Sequence, residues 1–180
     1  MKALFYFLII LTSSVLLTSF HLSKDKPKII ESELTKELCK DEINLVYIFS
    51  DWCVYSKKYL RNIYGKAMQN SDLDINVILI GIDSRKSKEY QALFEAYNIE
   101  YPLYVLNNKT GISVGTFTDY PRLKRFVKKN FSNTDDFSYH HLPFTFYADE
   151  NLNVISEAGY TLEQISQEVK AIRDSLNLKK

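Results

Sequence analysis

The chain carries almost no net charge. Lys and Arg number 23 against 22 Asp and Glu, and outside residues 1–23, whose one ionic side chain is Lys2, the two signs balance. Such a surface has no electrostatic footprint for nucleic acid. The cluster Lys124, Arg125, Lys128 and Lys129 reads instead as the solvated face of a helix. Charge is absent altogether from Ala3 to Phe20, after a short basic start at Met1-Lys2. That pattern is expected of a secretory signal or an uncleaved membrane anchor. No cysteine directly follows the apolar stretch, which argues against a lipoprotein anchor, and no small-x-small cleavage site stands out, Leu17-Thr18-Ser19 being the nearest approach to one. Cysteine is also scarce, with Cys39 and Cys53 alone. An exported chain invites a disulfide between them. However, the apolar run Ile43–Ser50 lies between the two, and a strand of about seven residues at ~3.3 Å each holds its ends far beyond the ~6 Å Cα separation of a disulfide. Two free thiols are expected.

What is present suits one domain behind a leader. Apolar residues make up 46%, with thirteen Tyr and eleven Phe to fill a core. The expected division is a leader over 1–23, a spacer over 24–30 and a domain over 31–180. Glu31–Lys40 reads as a helix, with Leu34 and Leu38 one turn apart. Ile43–Ser50 and Ile75–Asp83 are continuous apolar runs, as in strands buried on both faces of an α/β sheet. Between them, Cys53 to about Ala67 reads as a helix with Leu60, Ile63 and Ala67 on one side. Ser87–Tyr97 is amphipathic through Tyr90, Leu93, Phe94 and Tyr97. Pro102–Leu106 reads as a strand, Ile112–Phe117 as another, and Pro121 opens a helix through Leu123, Phe126 and Val127. A hairpin follows, from Leu142–Asp149 across Glu150–Asn153 to Val154–Ser156. Thr161 and Gln164 form a capping box for a last helix through Leu162, Ile165, Val169, Ile172 and Leu176.

Three segments carry a resemblance. Phe49-Ser50-Asp51-Trp52-Cys53-Val54-Tyr55-Ser56-Lys57 is a strand that ends in Trp-Cys and turns into a helix. Leu142-Pro143-Phe144-Thr145-Phe146 looks like a cis-proline and the strand behind it. Asp149 to Ile155 looks like the hairpin ahead of Gly159-Tyr160. From about residue 31 to 178 the chain resembles the thioredoxin-like superfamily, and within it the exported thiol-disulfide oxidoreductases of the TlpA and redoxin type. The resemblance implies an α/β fold with a central mixed sheet flanked by helices. It also implies an insertion, residues 101–138, before the cis-proline strand. A competing alignment runs through Tyr97–Leu103, with Pro102 as the cis-proline; it leaves residues 131–180 without a counterpart, so Pro143 is preferred. Three departures stand out. Ser56 occupies the place of the second cysteine in Cys-x-x-Cys, Tyr47 that of a buried acid, and Leu152 that of a turn glycine, whose left-handed angle a neighbouring Asn can supply.

Cys53 is the candidate nucleophile. A thiolate is the species that attacks disulfides, and unpaired N–H groups at a helix start favour an anion. Ser56, one turn on, is expected to donate its hydroxyl to the sulfur. Trp52, Tyr55, Leu142 and Pro143 are expected to shape a groove in which an extended substrate chain pairs with the backbone. One cysteine can form a mixed disulfide and cannot release it unaided. The chemistry this points to is isomerase action, deglutathionylation or covalent capture, on protein thiols or disulfides with help from a small thiol, without cofactor or metal. The expected setting is exported, periplasmic or otherwise extracytoplasmic, with residues 3–20 as a membrane tether if uncleaved. Two other readings stay open: a redox-inactive binding module, and a copper site like that of Sco-type chaperones, built from Cys53 with His140 or His141.

Overall fold

The computed structural model describes residues 26–30, 34–69, 71–107, 119–139 and 141–177. The leader, the strand expected at Ile112–Phe117 and His140 lie outside these residues. A mixed sheet of six strands forms the centre. Its members are β1 (Lys28–Ile30), β2 (Asn44–Phe49), β3 (Asn76–Gly81), β4 (Leu103–Leu106), β5 (Phe144–Ala148) and β6 (Val154–Glu157), in the spatial order β1-β4-β3-β2-β5-β6. The first four run parallel to one another; β5 is antiparallel to β2 and to β6. One finding differs from expectation here. Lys28–Ile30, within the expected spacer, is paired in register with Tyr104–Leu106 as an edge strand. The strand expected at Pro102–Leu106 forms as β4 and lies between β1 and β3.

The central strands are buried on both faces because their side chains alternate between two cores. Val46 and Ile48 of β2 join Ile78, Ile80, Phe144 and Phe146 on one face. Leu45, Tyr47 and Phe49 join Leu79, Val105 and Tyr147 on the other. The first face is covered by α1 (Leu34–Leu38), by α5 (Asp119–Asn130) through Leu123 and Val127, and by the loop that carries Phe131, Tyr139 and Leu142. The second is covered by the helical run after Cys53, by α4 (Ser87–Tyr97) through Tyr90 and Phe94, and by α6 (Leu162–Asn177) through Ile165, Val169 and Ile172.

That helical run is not one uniform helix. It comprises α2 (Val54–Tyr59), a π-helical turn (Leu60–Gly65) and α3 (Lys66–Gln69). Adding a residue to one turn rotates the faces that follow. Leu60, Tyr64 and Met68 are buried, while Ile63, expected on the inner face, is only half-buried. The N-cap half of the expected capping box forms, with the Gln164 N–H donating to Thr161 Oγ1 at 3.1 Å, while the Gln164 side chain accepts from the N–H of Tyr160, one residue before the N-cap, at 3.2 Å. In the hairpin, Leu152 itself takes the left-handed angle, φ 64°, rather than Asn151 or Asn153.

Gly81 ends β3 under the ring of Tyr90, and a Cβ there would lie 2.6 Å from ring carbons. The ring is fully buried and packs edge-on against Phe49, so it has no room to retreat. Gly81→Ala is therefore expected to cost about 1–3 kcal/mol of stability, read as a lower urea midpoint.

Candidate active site

Parallel strands β2 and β3 end side by side, and the chain beyond β2 turns at once into α2. Cys53 is the N-cap of α2, with the extended angles that position requires (φ −79°, ψ 119°). Its sulfur does what a Ser or Asp oxygen commonly does at a helix start. It accepts the backbone N–H of Ser56 at 3.5 Å. On its other side the thiol donates to the carbonyl of Leu142 at 3.2 Å. The Leu142–Pro143 peptide is cis, and it is the cis bond found among the described residues, so the alignment through Pro102 falls. Leu142 and Pro143 are thereby beside Cys53, although 89 residues separate Leu142 from it in sequence.

Ser56 is fully buried. Its contact with the sulfur is made by the backbone amide rather than by the hydroxyl expected from the sequence. The hydroxyl oxygen instead accepts the N–H of Ser50 at 3.4 Å, tying α2 to the end of β2. Tyr47 lies beneath. Its hydroxyl donates to the Ser56 carbonyl at 2.8 Å and its ring stacks on Tyr64, centroids 4.1 Å apart. Burial pushes the Tyr47 phenol well above its usual range, and the neighbouring Tyr64 and Cys53 add to the shift. Tyr47 is thus a fixed donor, and the buried carboxyl implied by the resemblance has no counterpart in it.

Trp52 (41% exposed), Val54 (71%) and Tyr55 (62%) stand at the surface around the thiol, which is itself 8% exposed. Tyr55 stacks on Tyr59, and Tyr59 on Tyr160, with centroids 6.4 and 4.9 Å apart. Tyr160 closes this row on the proline loop, its hydroxyl 3.4 Å from the Pro143 carbonyl. The hydroxyl of Tyr64 donates to the Gly159 carbonyl next door. Tyr59, Tyr64 and Tyr160 were not among the sequence-derived candidates. Tyr59 carries a signal, one helical turn after Tyr55, whereas Tyr160 meets the site only through the tertiary fold.

Trp52, Cys53, Tyr55 and Ser56 lie at the turn into α2, and the structure brings the Leu142 carbonyl, next to Pro143, to the Cys53 sulfur. With these residues in place, the chain can be set against solved structures. It superposes on a thioredoxin-related protein from Neisseria meningitidis serogroup B with TM-score 0.52 at 14% identity, over 75% of this chain and 87% of that one. The fold is thioredoxin-like. The thioredoxin domain of a thiol-disulfide oxidoreductase from Bacteroides vulgatus matches with TM-score 0.51 at 11% identity, over 77% and 84% of the two chains. A thiol-disulfide isomerase from Corynebacterium glutamicum matches with TM-score 0.50 at 13% identity, over 76% and 83%. No protein-family model matches the sequence, and no curated protein does either.

Two further titratable groups of this thioredoxin-like domain lie outside the site. Asp83 follows β3 at the same end of the sheet. Burial pushes its carboxyl up, but hydrogen bonds from the Arg85 side chain and backbone, with the charges of Arg85 and Arg122, hold it below the usual carboxylate range. Arg122 also donates to the Ile82 carbonyl at 3.2 Å, fastening α5 to that end of the sheet. The second group is Cys39. Both thiols are free, and Cys39 is 2% exposed within the core of the first face. Burial pushes its thiol up to about 12, and the carboxylate of Asp149 adds to the effect.

That asymmetry is testable. Iodoacetamide at neutral pH is expected to label Cys53 in the native protein and Cys39 only after unfolding, as read by peptide mass spectrometry. The raised Cys39 value also has a stability consequence. The folded state keeps the proton that the unfolded state releases, so this contribution is complete below pH about 9 and is lost as pH rises toward about 12. Cys39→Ala is expected to flatten that part of the stability profile. As for metal, no three His, Cys, Asp or Glu side chains are grouped to hold an ion among the described residues.

Proposed function

We propose that this protein is an exported, single-cysteine thiol–disulfide exchange protein acting on polypeptide substrates. One observation carries the reading. The Cys53 sulfur is held between the Ser56 N–H and the Leu142 carbonyl of a cis-proline loop, at 3.5 and 3.2 Å, with exposed aromatic side chains around it. This geometry supports attack by sulfur on a disulfide presented along the loop. Ser56, buried where a resolving thiol would have to stand, leaves release to a second thiol from substrate, small molecule or another protein. The solved thiol-disulfide oxidoreductase and isomerase structures of the same fold support the class of chemistry by likeness of fold. The leader-like residues 3–20 support export and, if uncleaved, tethering.

The test is trapping in the native compartment. Wild-type protein is expected to yield mixed disulfides that vanish under reduction and are absent from Cys53→Ala. Partners recovered equally by both proteins, with no disulfide adduct, would identify a noncovalent binding module instead. The exposed patch of Trp52, Val54 and Tyr55 is the observation that favours this second reading.

A further inference from the structure

Two consecutive carbonyls of the proline loop are held by different partners. The Leu142 carbonyl accepts from the Cys53 thiol at 3.2 Å, and the Pro143 carbonyl from the Tyr160 hydroxyl at 3.4 Å. The first contact is lost in the chemistry itself. A sulfur that has given up its proton, or has bonded to a substrate sulfur, is no longer a donor. The second contact does not involve the reacting atoms. Tyr160 also touches the other wall of the site. Its ring stacks on Tyr59 of α2, the helix that Cys53 caps, with centroids 4.9 Å apart. One side chain therefore spans from the helix to the loop.

Tyr160 is itself firmly placed. Its N–H donates to the Gln164 side chain at 3.2 Å. Gly159, the residue before it, is gripped at both of its backbone polar groups. The N–H donates to Glu168 Oε2 at 2.9 Å, and the carbonyl accepts from the Tyr64 hydroxyl. The same Glu168 oxygen takes the Tyr147 hydroxyl at 3.0 Å, which ties α6 to β5. A Cβ at position 159 would lie 2.8 Å from Gln164 Cβ, so this strap packs directly on the first turn of α6. Burial holds the Tyr160 phenol above its usual range, and Glu157 and Tyr59 add to the shift, so it stays a donor through neutral pH.

We propose that Tyr160 is a positioning residue for exchange at Cys53: it holds the proline loop against α2 at the stage when the Cys53 thiol no longer does. The inference rests on the exchange reading above and adds to it a residue that acts through Pro143. In the reaction, the Cys53 thiolate attacks one sulfur of the substrate disulfide. That S–S bond breaks as the new one forms, and the departing sulfur takes the electron pair and a proton in place of the one Cys53 released. A second thiol then attacks the mixed disulfide and returns Cys53 to its reduced form, so no outside oxidant is consumed. Through both steps the loop keeps the Tyr160 contact after the Cys53 contact is gone.

The test uses the whole protein and a capped pentapeptide whose central cysteine is carried as a mixed disulfide with thionitrobenzoate. Released thionitrobenzoate is followed over a range of peptide concentrations. The Cys53 adduct is confirmed by mass, with Cys53→Ala as blank. Tyr160→Phe keeps the ring on Tyr59 and removes the hydroxyl. Its limiting rate is expected to fall roughly fivefold, the worth of one ordinary hydrogen bond. The half-saturating concentration should be unchanged, and so should alkylation by iodoacetamide, which makes no use of the loop. Glu168→Ala leaves the Gly159 N–H and the Tyr147 hydroxyl without their acceptor and should lower the limiting rate in the same way. Glu168→Gln keeps an acceptor oxygen and should restore it. A folded Tyr160→Phe with the wild-type limiting rate would overturn the positioning role and leave exchange at Cys53 intact. A raised half-saturating concentration at unchanged limiting rate would overturn it too, because it marks a substrate contact. An equal fall in alkylation would do the same, because it marks a disturbed sulfur. Absence of any Cys53 adduct in the wild type would overturn the exchange reading and this inference together.

Discussion

Ser56→Cys is expected to convert the site from capture to turnover. Residue 56 is buried one helical turn from Cys53, and its backbone N–H already touches the sulfur at 3.5 Å. A thiol at this position attacks the mixed disulfide from within the same turn. Internal attack competes with external thiol at an effective concentration far above the millimolar thiol of solution. At ~0.1 M or more it shortens adduct lifetime about a hundredfold or beyond against ~1 mM external thiol. Covalently trapped partners should therefore disappear from Ser56→Cys preparations, and reduction of a protein disulfide by a regenerating dithiol should appear. The substitution also removes the hydroxyl that accepts the Ser50 N–H, at 3.4 Å already a weak bond, so folding is expected to survive. Adducts as long-lived in Ser56→Cys as in wild type would mean that release is not what the missing cysteine limits.

The reason the sequence pointed to Cys53 and Ser56 is local. A continuous apolar run, Trp-Cys and a helical pattern follow one another without interruption, and each is a short-range signal. The same holds for β2 and β3, whose continuous apolar character is the mark of strands covered on both faces. What stayed hidden depends on distance along the chain or on a deviation too small for periodicity. Lys28–Ile30 is three residues long with an exposed lysine and isoleucine, and only its pairing with β4 makes it a strand. Helical spacing sets both Ile63 and Tyr64 beside Leu60, and only the packing shows that Tyr64 is the one turned inward. Tyr160 reaches Pro143 across 17 residues and a sheet edge. Ser56 was legible as a position but not as a hydrogen-bonding geometry, because the choice between its amide and its hydroxyl is made by where Ser50 and Cys53 end up.

Tyr47 is where the site and the core share a residue, and its substitutions should separate the two roles. Its ring is fully buried on the second face of the sheet, stacked on Tyr64 at 4.1 Å and on Phe49 at 5.7 Å. Its hydroxyl donates to the Ser56 carbonyl in the first turn of α2, which also accepts the Leu60 N–H. Tyr47→Ala empties that space and is expected to cost about 3–5 kcal/mol, the range for large aromatic truncations in a core. This is a sizeable part of the ~5–15 kcal/mol by which domains are usually stable. Tyr47→Phe keeps the stack and removes one of two donors to the Ser56 carbonyl, which keeps the Leu60 N–H, at a cost of about 0.5–1.5 kcal/mol. Urea titration distinguishes the cases, with midpoints in the order wild type, Phe, Ala and unchanged slopes. Because burial keeps the phenol protonated, Tyr47 contributes no proton to exchange, and Tyr47→Phe should form mixed disulfides at Cys53 within a few-fold of the wild-type rate. A collapse of that rate in a folded Phe variant would show that Tyr47 acts in the chemistry. An unchanged midpoint would show that its hydroxyl does not hold the turn on which Cys53 and Ser56 are mounted.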